Sequence, residues 1–467
     1  MQSPLHGIKS NTLFLCCQDS ILVLKLLMFL SGAALRPGRG GIVAQTHLLQ
    51  QARQYRWRIF WCLAVGYILV FFHRLCTAVV AVDMMNDLRA GGALVGFLSS
   101  GYFYPYALMQ LPTGLLSDSW GPRRTITLFL AIASVGSVLL GLTPSAAGAM
   151  LGRVLVGLGV STLFVCTLKI LAEWFSVREF SLMTAILMAM GGLGSLSAAA
   201  PMALLSGWLG WRFAFVAVGV LTAMLAVLVW WVVRDRPAEL GWPAPAEHRL
   251  NPAEIIPLGD GVKRVLTRPA FWPLALWFFF TYGIFISFGG LWGGPYFMQI
   301  HGLTRNEASR ILSMLAVGMI LGGPLLSLIS KRWLKSQPKT MVLSSLLLSV
   351  LMAALARYPS QFPLVGLYGL CLALGIFASA IVVIGFTMTK ELFPVQMAGT
   401  SIGLVNLFPF AGGAVFQPLL GYILQRHVNS DQTFSLAGYQ QAFLVLWLAS
   451  LAAFGASIFI REAKAAS

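Results

Sequence analysis

The chain has 467 residues, of which 58% are hydrophobic and only 10% charged, with a mean hydropathy of +0.81. That much apolar surface cannot be hidden in a soluble core, so the composition excludes a soluble globular protein and implies a polytopic membrane protein. The net charge of +17 would suggest nucleic acid in a soluble protein, but in a membrane protein basic residues collect in the cytoplasmic loops, and no nucleic-acid partner follows.

The first 57 residues come before any clean membrane span. Leu13 to Leu35 is apolar but interrupted by Asp19 and Lys25, each costing roughly 2.5 to 3.5 kcal/mol at a helix centre. The pattern predicts a cytoplasmic or interfacial amphipathic segment over residues 1–57, or a translation start near Met28, in preference to a signal sequence or a thirteenth helix. Twelve apolar runs follow, each of about 20 residues, the length that crosses about 30 Å of hydrocarbon. They cover approximately 58–83, 93–116, 124–142, 147–172, 181–206 and 212–233, then 271–298, 308–330, 340–357, 363–389, 397–424 and 438–460. The segment between the two sets is polar and carries Pro237, Pro243, Pro245, Pro252 and Pro257. The domain reading is therefore a six-helix half at 58–234, a cytoplasmic linker at 235–270, a second half at 271–461 and a short tail at 462–467. Glu173-Trp-Phe-Ser-Val before the fifth run reappears as Glu391-Leu-Phe-Pro-Val before the eleventh, which supports two parallel repeats.

Charge placement orients the chain. The outer loops hold Arg89, Arg212, Arg305, Arg310, Arg357 and Arg426, and Arg74 and Arg153 fall within spans; every other Lys and Arg lies in the inner segments. The bias predicts that both termini are cytoplasmic. Six scattered cysteines show neither CxxC pairs nor ligand spacing to histidine, so neither a metal site nor a disulfide framework is expected. No nucleotide loop, HExxH or GxSxG lies at a membrane face, and neither an enzyme nor a cofactor is expected.

Between the second and third runs stands a charged island, Gly114 to Ile126, with Gly114, Asp118, Gly121, Arg123 and Arg124. A glycine there lets two helices approach, the acid can pair with a base or cap a helix, and the arginines hold the loop inside. The island resembles the signature loop of the major facilitator superfamily, although Ser119 and Pro122 stand where that family usually has basic residues. In the fourth run, Arg153 followed by Gly157 and Gly159 resembles the family's fourth-helix motif, where the arginine serves proton coupling or helix packing, packing being the stronger expectation here. The resemblance covers about residues 58 to 461. It implies an all-α polytopic fold of twelve transmembrane helices in two pseudo-symmetric six-helix halves, working as an alternating-access secondary transporter. The second copy of the signature position, Lys331 to Lys339, keeps basic residues but lacks an acid.

Function turns on polar residues that hydrocarbon makes expensive. Arg74 lies 16 residues beyond Arg58, about 24 Å along a helix rising about 1.5 Å per residue. An intramembrane arginine faces a bundle interior or an aqueous cavity, and its planar fork suits an oxyanion. The alternative is a buried arginine bonded to carbonyls of a neighbouring helix. Tyr67 shares the face of Arg74 and His73 points about 100° away; His73 is either a packing residue or a proton site. The stretch around Tyr67 and Arg74 is also similar to the first helix of the anion:cation symporter branch, which implies that these two approach substrate. Tyr102, Tyr106 and Gln110 form a helical stripe, Tyr282 lies in the seventh run, and Asn406 and Gln417 lie in the eleventh. Trp292 and Tyr296 are expected at the interface, and Lys169 is expected to extend to the headgroups. No carboxylate falls at mid-membrane, so the fixed central charge is positive.

The function expected is secondary active transport of a small, carboxylate-bearing organic anion, with Arg74, Tyr67, His73, Tyr102, Tyr106, Gln110, Tyr282 and Asn406 as candidate substrate contacts. Efflux of an amphiphilic or dipeptide-like solute is the alternative within transport, and a non-transporting sensor or assembly factor the alternative outside it. A proton is one candidate coupling ion. The default is a monomer in the lipid bilayer of a bacterial inner membrane.

Overall fold

The computed structural model describes residues 39–242, 258–393, 398–430 and 432–460. Two compact units are resolved, residues 1–55 and residues 56–467. In the first, the described residues are helical; the apolar Leu13–Leu35 stretch lies outside the described residues. Helix runs from Arg39 through the start of the first apolar run at 58, over a stretch rich in Gln, Arg, Leu and Ala, which are good helix formers.

Among its described residues the second unit has twelve spans in two sets of six. Ten helical stretches are long and apolar enough to cross a bilayer as they stand. One of them, Val177–Val232, is two spans joined at Gly210, whose φ of 77° breaks the helix. A further span is assembled from three helical segments, Gly92–Ser100, Phe103–Leu108 and Gln110–Ser119. Other spans are interrupted as well. The first bends at Cys76, between Arg39–Leu75 and Thr77–Asp87. The seventh, eighth and tenth contain π-turns at Phe288–Trp292, Ile329–Trp333 and Ile381–Gly385. Such turns free backbone groups and occur in membrane helices where neighbours can satisfy them.

Close packing within each half depends on glycine. A methyl group on Gly157 would collide with the Tyr102 carbonyl, and one on Gly159 with the Phe129 carbonyl, so the fourth span can approach the second and third only without side chains there. Gly318 and Gly375 do the same for the eighth and tenth spans.

The face carrying the Ser119–Gly121 turn, here the loop face, is held by ion pairs. Asp118 pairs with Lys169 at 2.5 Å, which corrects the expectation that Lys169 extends to headgroups: a carboxylate lies within reach and fixes it. Gly121 adopts φ 92°, and the Arg123 amide that follows donates to Asp235 at 2.6 Å, so the acid of the sixth-span end caps the third span. Arg56 makes a two-pronged pair with Glu179, at 2.8 and 2.9 Å. Burial alone would raise the Glu179 carboxyl, but bonds from Arg56 and Ser176 outweigh it and hold it below its ordinary value. Its contribution to stability is therefore present above the usual carboxylate range and lost as pH falls through the lowered value.

The two halves meet unequally at the two ends. On the far face, a methyl on Gly96 would lie 2.6 Å from the Gln417 carbonyl, one on Gly421 would collide with Gly92, and Arg305 pairs with Asp83 at 2.5 Å. Toward the loop face the same second and eleventh spans separate. The nearest atom to a methyl on Gly403 is in Leu111 at 3.9 Å, and one on Gly114 would meet nothing within 4 Å. In this conformation Gly114 faces open space. Gly157→Val is therefore expected to destabilise by several kcal/mol, and Gly114→Ala to change stability by no more than about 0.5 kcal/mol. Thermal unfolding in detergent measures both, and equal losses would contradict this packing.

Candidate functional site

Arg74 is the penultimate residue of the first helical segment, two residues before the Cys76 bend, and is 5% exposed. Three aromatic rings surround its guanidinium: Phe71 at 4.5 Å, Phe410 at 4.9 Å and Tyr106 at 5.1 Å from ring centroid to charge centre. Its Nη1 donates to the Tyr282 hydroxyl at 3.2 Å, and its Nε has no partner. Arg74 and Phe71 belong to the first half and Tyr282 and Phe410 to the second, so the site is built across the halves. The ion pairs seen among the described residues engage Arg56, Lys169, Arg212, Arg236 and Arg305, and none reaches Arg74. A desolvated cation over an aromatic face gains up to about 2 kcal/mol. Three rings and one hydroxyl thus hold the charge in place without neutralising it.

On the loop-face side of this box lies a polar bridge. Gln110 is 5% exposed, donates to the Tyr106 carbonyl at 3.1 Å and accepts from Asn406 at 2.8 Å. Each helps satisfy the other, and together they form a second contact between halves.

Not all of the predicted residues converge. Tyr106 and Tyr282 touch the Arg74 box directly, and each packs on Phe410, at 4.1 and 5.7 Å between centroids. Tyr67 stands one ring away, edge-on to Phe71 at 5.2 Å, with its hydroxyl directed at the Met188 sulfur. Tyr102 stacks on Tyr106, but its hydroxyl points to the Val70 carbonyl. His73 turns away: its Nε2 meets the Thr222 hydroxyl of the sixth span at 3.2 Å, and the residue is fully buried. Arg153 is also fully buried, donating to the carbonyls of His73, Leu98 and Ser99 at 3.0 to 3.4 Å. It therefore ties the fourth span to the backbones of the first and second.

Two expected interfacial aromatics are interior. Trp292 is 1% exposed and donates to the Gln417 carbonyl, and Tyr296 is fully buried, its hydroxyl bonded to the Pro359 carbonyl. Trp292 closes the π-turn Phe288–Trp292 and Tyr296 lies in the helix that follows it. Phe71 and Phe410, the ring walls of the Arg74 box, carried no polar signal by which the sequence could single them out. The i−3 spacing of Phe71 from Arg74 was the available cue.

The sequence profile of the Major Facilitator Superfamily matches residues 63–417. A probable hexose phosphate transport protein of Chlamydia trachomatis is 23% identical over 404 residues, covering 80% of this chain and 86% of that protein. A probable galactarate/D-glucarate transporter, GudP, of Escherichia coli is 24% identical over 405 residues, covering 78% and 87%. Among solved structures, a bacterial homolog of the human lysosomal transporter Spinster, inward-facing and unoccupied, superposes with a TM-score of 0.71 at 20% identity, covering 87% of this chain and 98% of that one.

The Gln110–Asn406 bond is expected to show a coupling of about 0.6 kcal/mol, and no more than about 1.7, in a double-mutant cycle of Gln110→Ala and Asn406→Ala. Unfolding of the four proteins in detergent measures it. Strict additivity would mean that the bridge contributes nothing.

Proposed function

Because this chain belongs to the Major Facilitator Superfamily, we propose that it is a secondary transporter of a small organic anion bearing a carboxylate, with Arg74 as the counter-charge. The observation that carries this reading is a buried guanidinium, held by rings and one hydroxyl, that has no carboxylate partner among the described residues and whose Nε–H is unpartnered. An entering anion would form a charge-assisted pair with it in a low-dielectric setting, where such pairs are strongest. The names of the relatives, which concern a hexose phosphate and sugar diacids, agree with an anionic solute carrying further polar groups.

The mechanism follows from the same geometry. The box draws on both halves, so an anion bound there senses their relative position. In this conformation the far-face ends are interlocked and the loop-face ends of the second and eleventh spans stand apart around Gly114 and Gly403, with the Gln110–Asn406 bridge lying between that opening and the box. The Lys and Arg bias assigns that face to the cytoplasm. Rocking of the halves would break the Asp83–Arg305 pair and the glycine contacts around Gly96 and Gly421. It would bring Gly114 into the packing role for which its present surroundings give no reason. Nothing at mid-depth provides a carboxylate to hold a cation, which disfavours efflux of amines.

Uptake into proteoliposomes tests this. With radiolabelled D-glucarate and a hexose phosphate as anions and a cationic amphiphile as control, anion uptake is expected. Arg74→Ala should lower its kcat/KM on the order of 100-fold, equivalent to about 2.7 kcal/mol, with Arg74→Lys intermediate because the charge remains but the fork is lost. Uptake of the amphiphile alone, or an unimpaired Arg74→Ala protein, would overturn the assignment.

A further inference from the structure

A second concentration of unpartnered positive charge lies away from Arg74, where the eighth span turns into the ninth. The π-turn Ile329–Trp333 and a left-handed Lys335, φ 47°, reverse the chain there and place Lys331 and Lys335 on one rim. Behind them is a cavity of about 680 Å³, lined by both lysines and by Ser327, Ser330, Ser336 and Thr387. Val383 and Ile384 of the tenth span form its apolar wall. Neither lysine forms an ion pair or hydrogen bond among the described residues.

Ser330 gives the cavity its depth. It is 7% exposed and lines the cavity, and its hydroxyl makes no hydrogen bond among the described residues. Ser336 caps the ninth span, its hydroxyl accepting from the Lys339 amide at 3.4 Å, so the positive end of that helix adjoins the same space. The adjacent carboxylate of Glu391 is engaged from the side by the Gln337 amide at 3.2 Å, while the Gln337 carbonyl oxygen stays unpartnered. While the Thr387 hydroxyl donates to the Val383 carbonyl at 2.9 Å, two ammonium groups and the hydroxyls of Ser327, Ser330 and Ser336 supply more donors than the two oxygens of a carboxylate would use. They match an oxyanion with three or four oxygens, and lysine is a good point-charge partner for phosphate. Trp333, 73% exposed beside Lys331, marks the depth at which lipid headgroups lie.

We propose that this cavity binds a phosphate group at the loop face, presented either by an anionic phospholipid headgroup or by a small phosphorylated solute. The phosphate would sit between the turn joining the eighth and ninth spans, which supplies Lys331, Lys335 and Ser330, and the Val383–Thr387 wall of the tenth. The site is separate from the Arg74 box and does not depend on what that box carries.

The experiment uses the full chain, delipidated in detergent, as wild type, as Lys331→Gln/Lys335→Gln, as Ser330→Ala and as Arg74→Ala. Radiolabelled inorganic phosphate is titrated by equilibrium dialysis, and retention of phosphatidylglycerol against phosphatidylcholine is followed by native mass spectrometry. The exposed lysines are not part of the packed core, so the double variant is expected to fold, and Arg74→Ala removes any phosphate held at the central box. Phosphate binding that survives Arg74→Ala but weakens tenfold or more in the lysine variant, and less in Ser330→Ala, supports the site with a soluble ligand. Selective retention of phosphatidylglycerol that is lost in the lysine variant supports it with a lipid ligand. If the lysine variant matches wild type in both arms, the proposal is overturned.

Discussion

The structure around the bundle centre is governed by the guanidinium of Arg74, which no ion pair among the described residues neutralises. An arginine in hydrocarbon costs about 2.5 to 3.5 kcal/mol on insertion scales, and more where nothing relieves it. The fold offsets that with three aromatic faces and the Tyr282 hydroxyl, drawn from both halves. A carboxylate would have neutralised it permanently. Arg153 shows the other solution: equally buried, it engages each of its three guanidinium nitrogens with a backbone carbonyl. Two intramembrane arginines thus divide the work, one fastening helices and one keeping an N–H unspent.

The consequence for motion is that the central box and the far-face lock belong to the same interface. Phe410 and Asn406 sit on the eleventh span, which also provides Gln417 and Gly421 to the close contacts with the second span. A shift of that span that loosens Gly92 and Gly96 must also move the ring over Arg74. The interrupted helices, at Cys76 in the first span and at the π-turns of the seventh, eighth and tenth, give the bundle places to bend without leaving backbone groups exposed to lipid.

Much of the fold was legible in the sequence because hydrocarbon thickness sets a length that apolar runs must meet, and every predicted span has its helix. The chain reversal at Gly210 was bracketed between predicted spans, whereas the bend at Cys76 carried no Pro or Gly to announce it. Arg74 stood out because charge in a membrane is rare and costly. Its partners were harder to read. Tyr106 and Tyr282 were visible as polar aromatics, but Phe71 and Phe410 look like any lipid-facing residue until the bundle is assembled. His73, adjacent in sequence to Arg74, lies on another face because each helical residue advances about 100°. Lys169, Trp292 and Tyr296 were misplaced for a related reason: their environment is set by a neighbouring helix, through Asp118, Gln417 and Pro359, and not by their own position along the chain.

The most direct measurement of whether Arg74 waits for an anion is ligand-induced thermal stabilisation of the purified protein against a panel of sugar diacids, hexose phosphates, amines and dipeptides, with Arg74→Ala in parallel. An anion at about 100 times its dissociation constant should stabilise the wild type by about 2.7 kcal/mol and leave the variant unmoved. Stabilisation by amines or neutral amphiphiles alone, or an identical anion response in Arg74→Ala, would make Arg74 a packing residue and contradict the account.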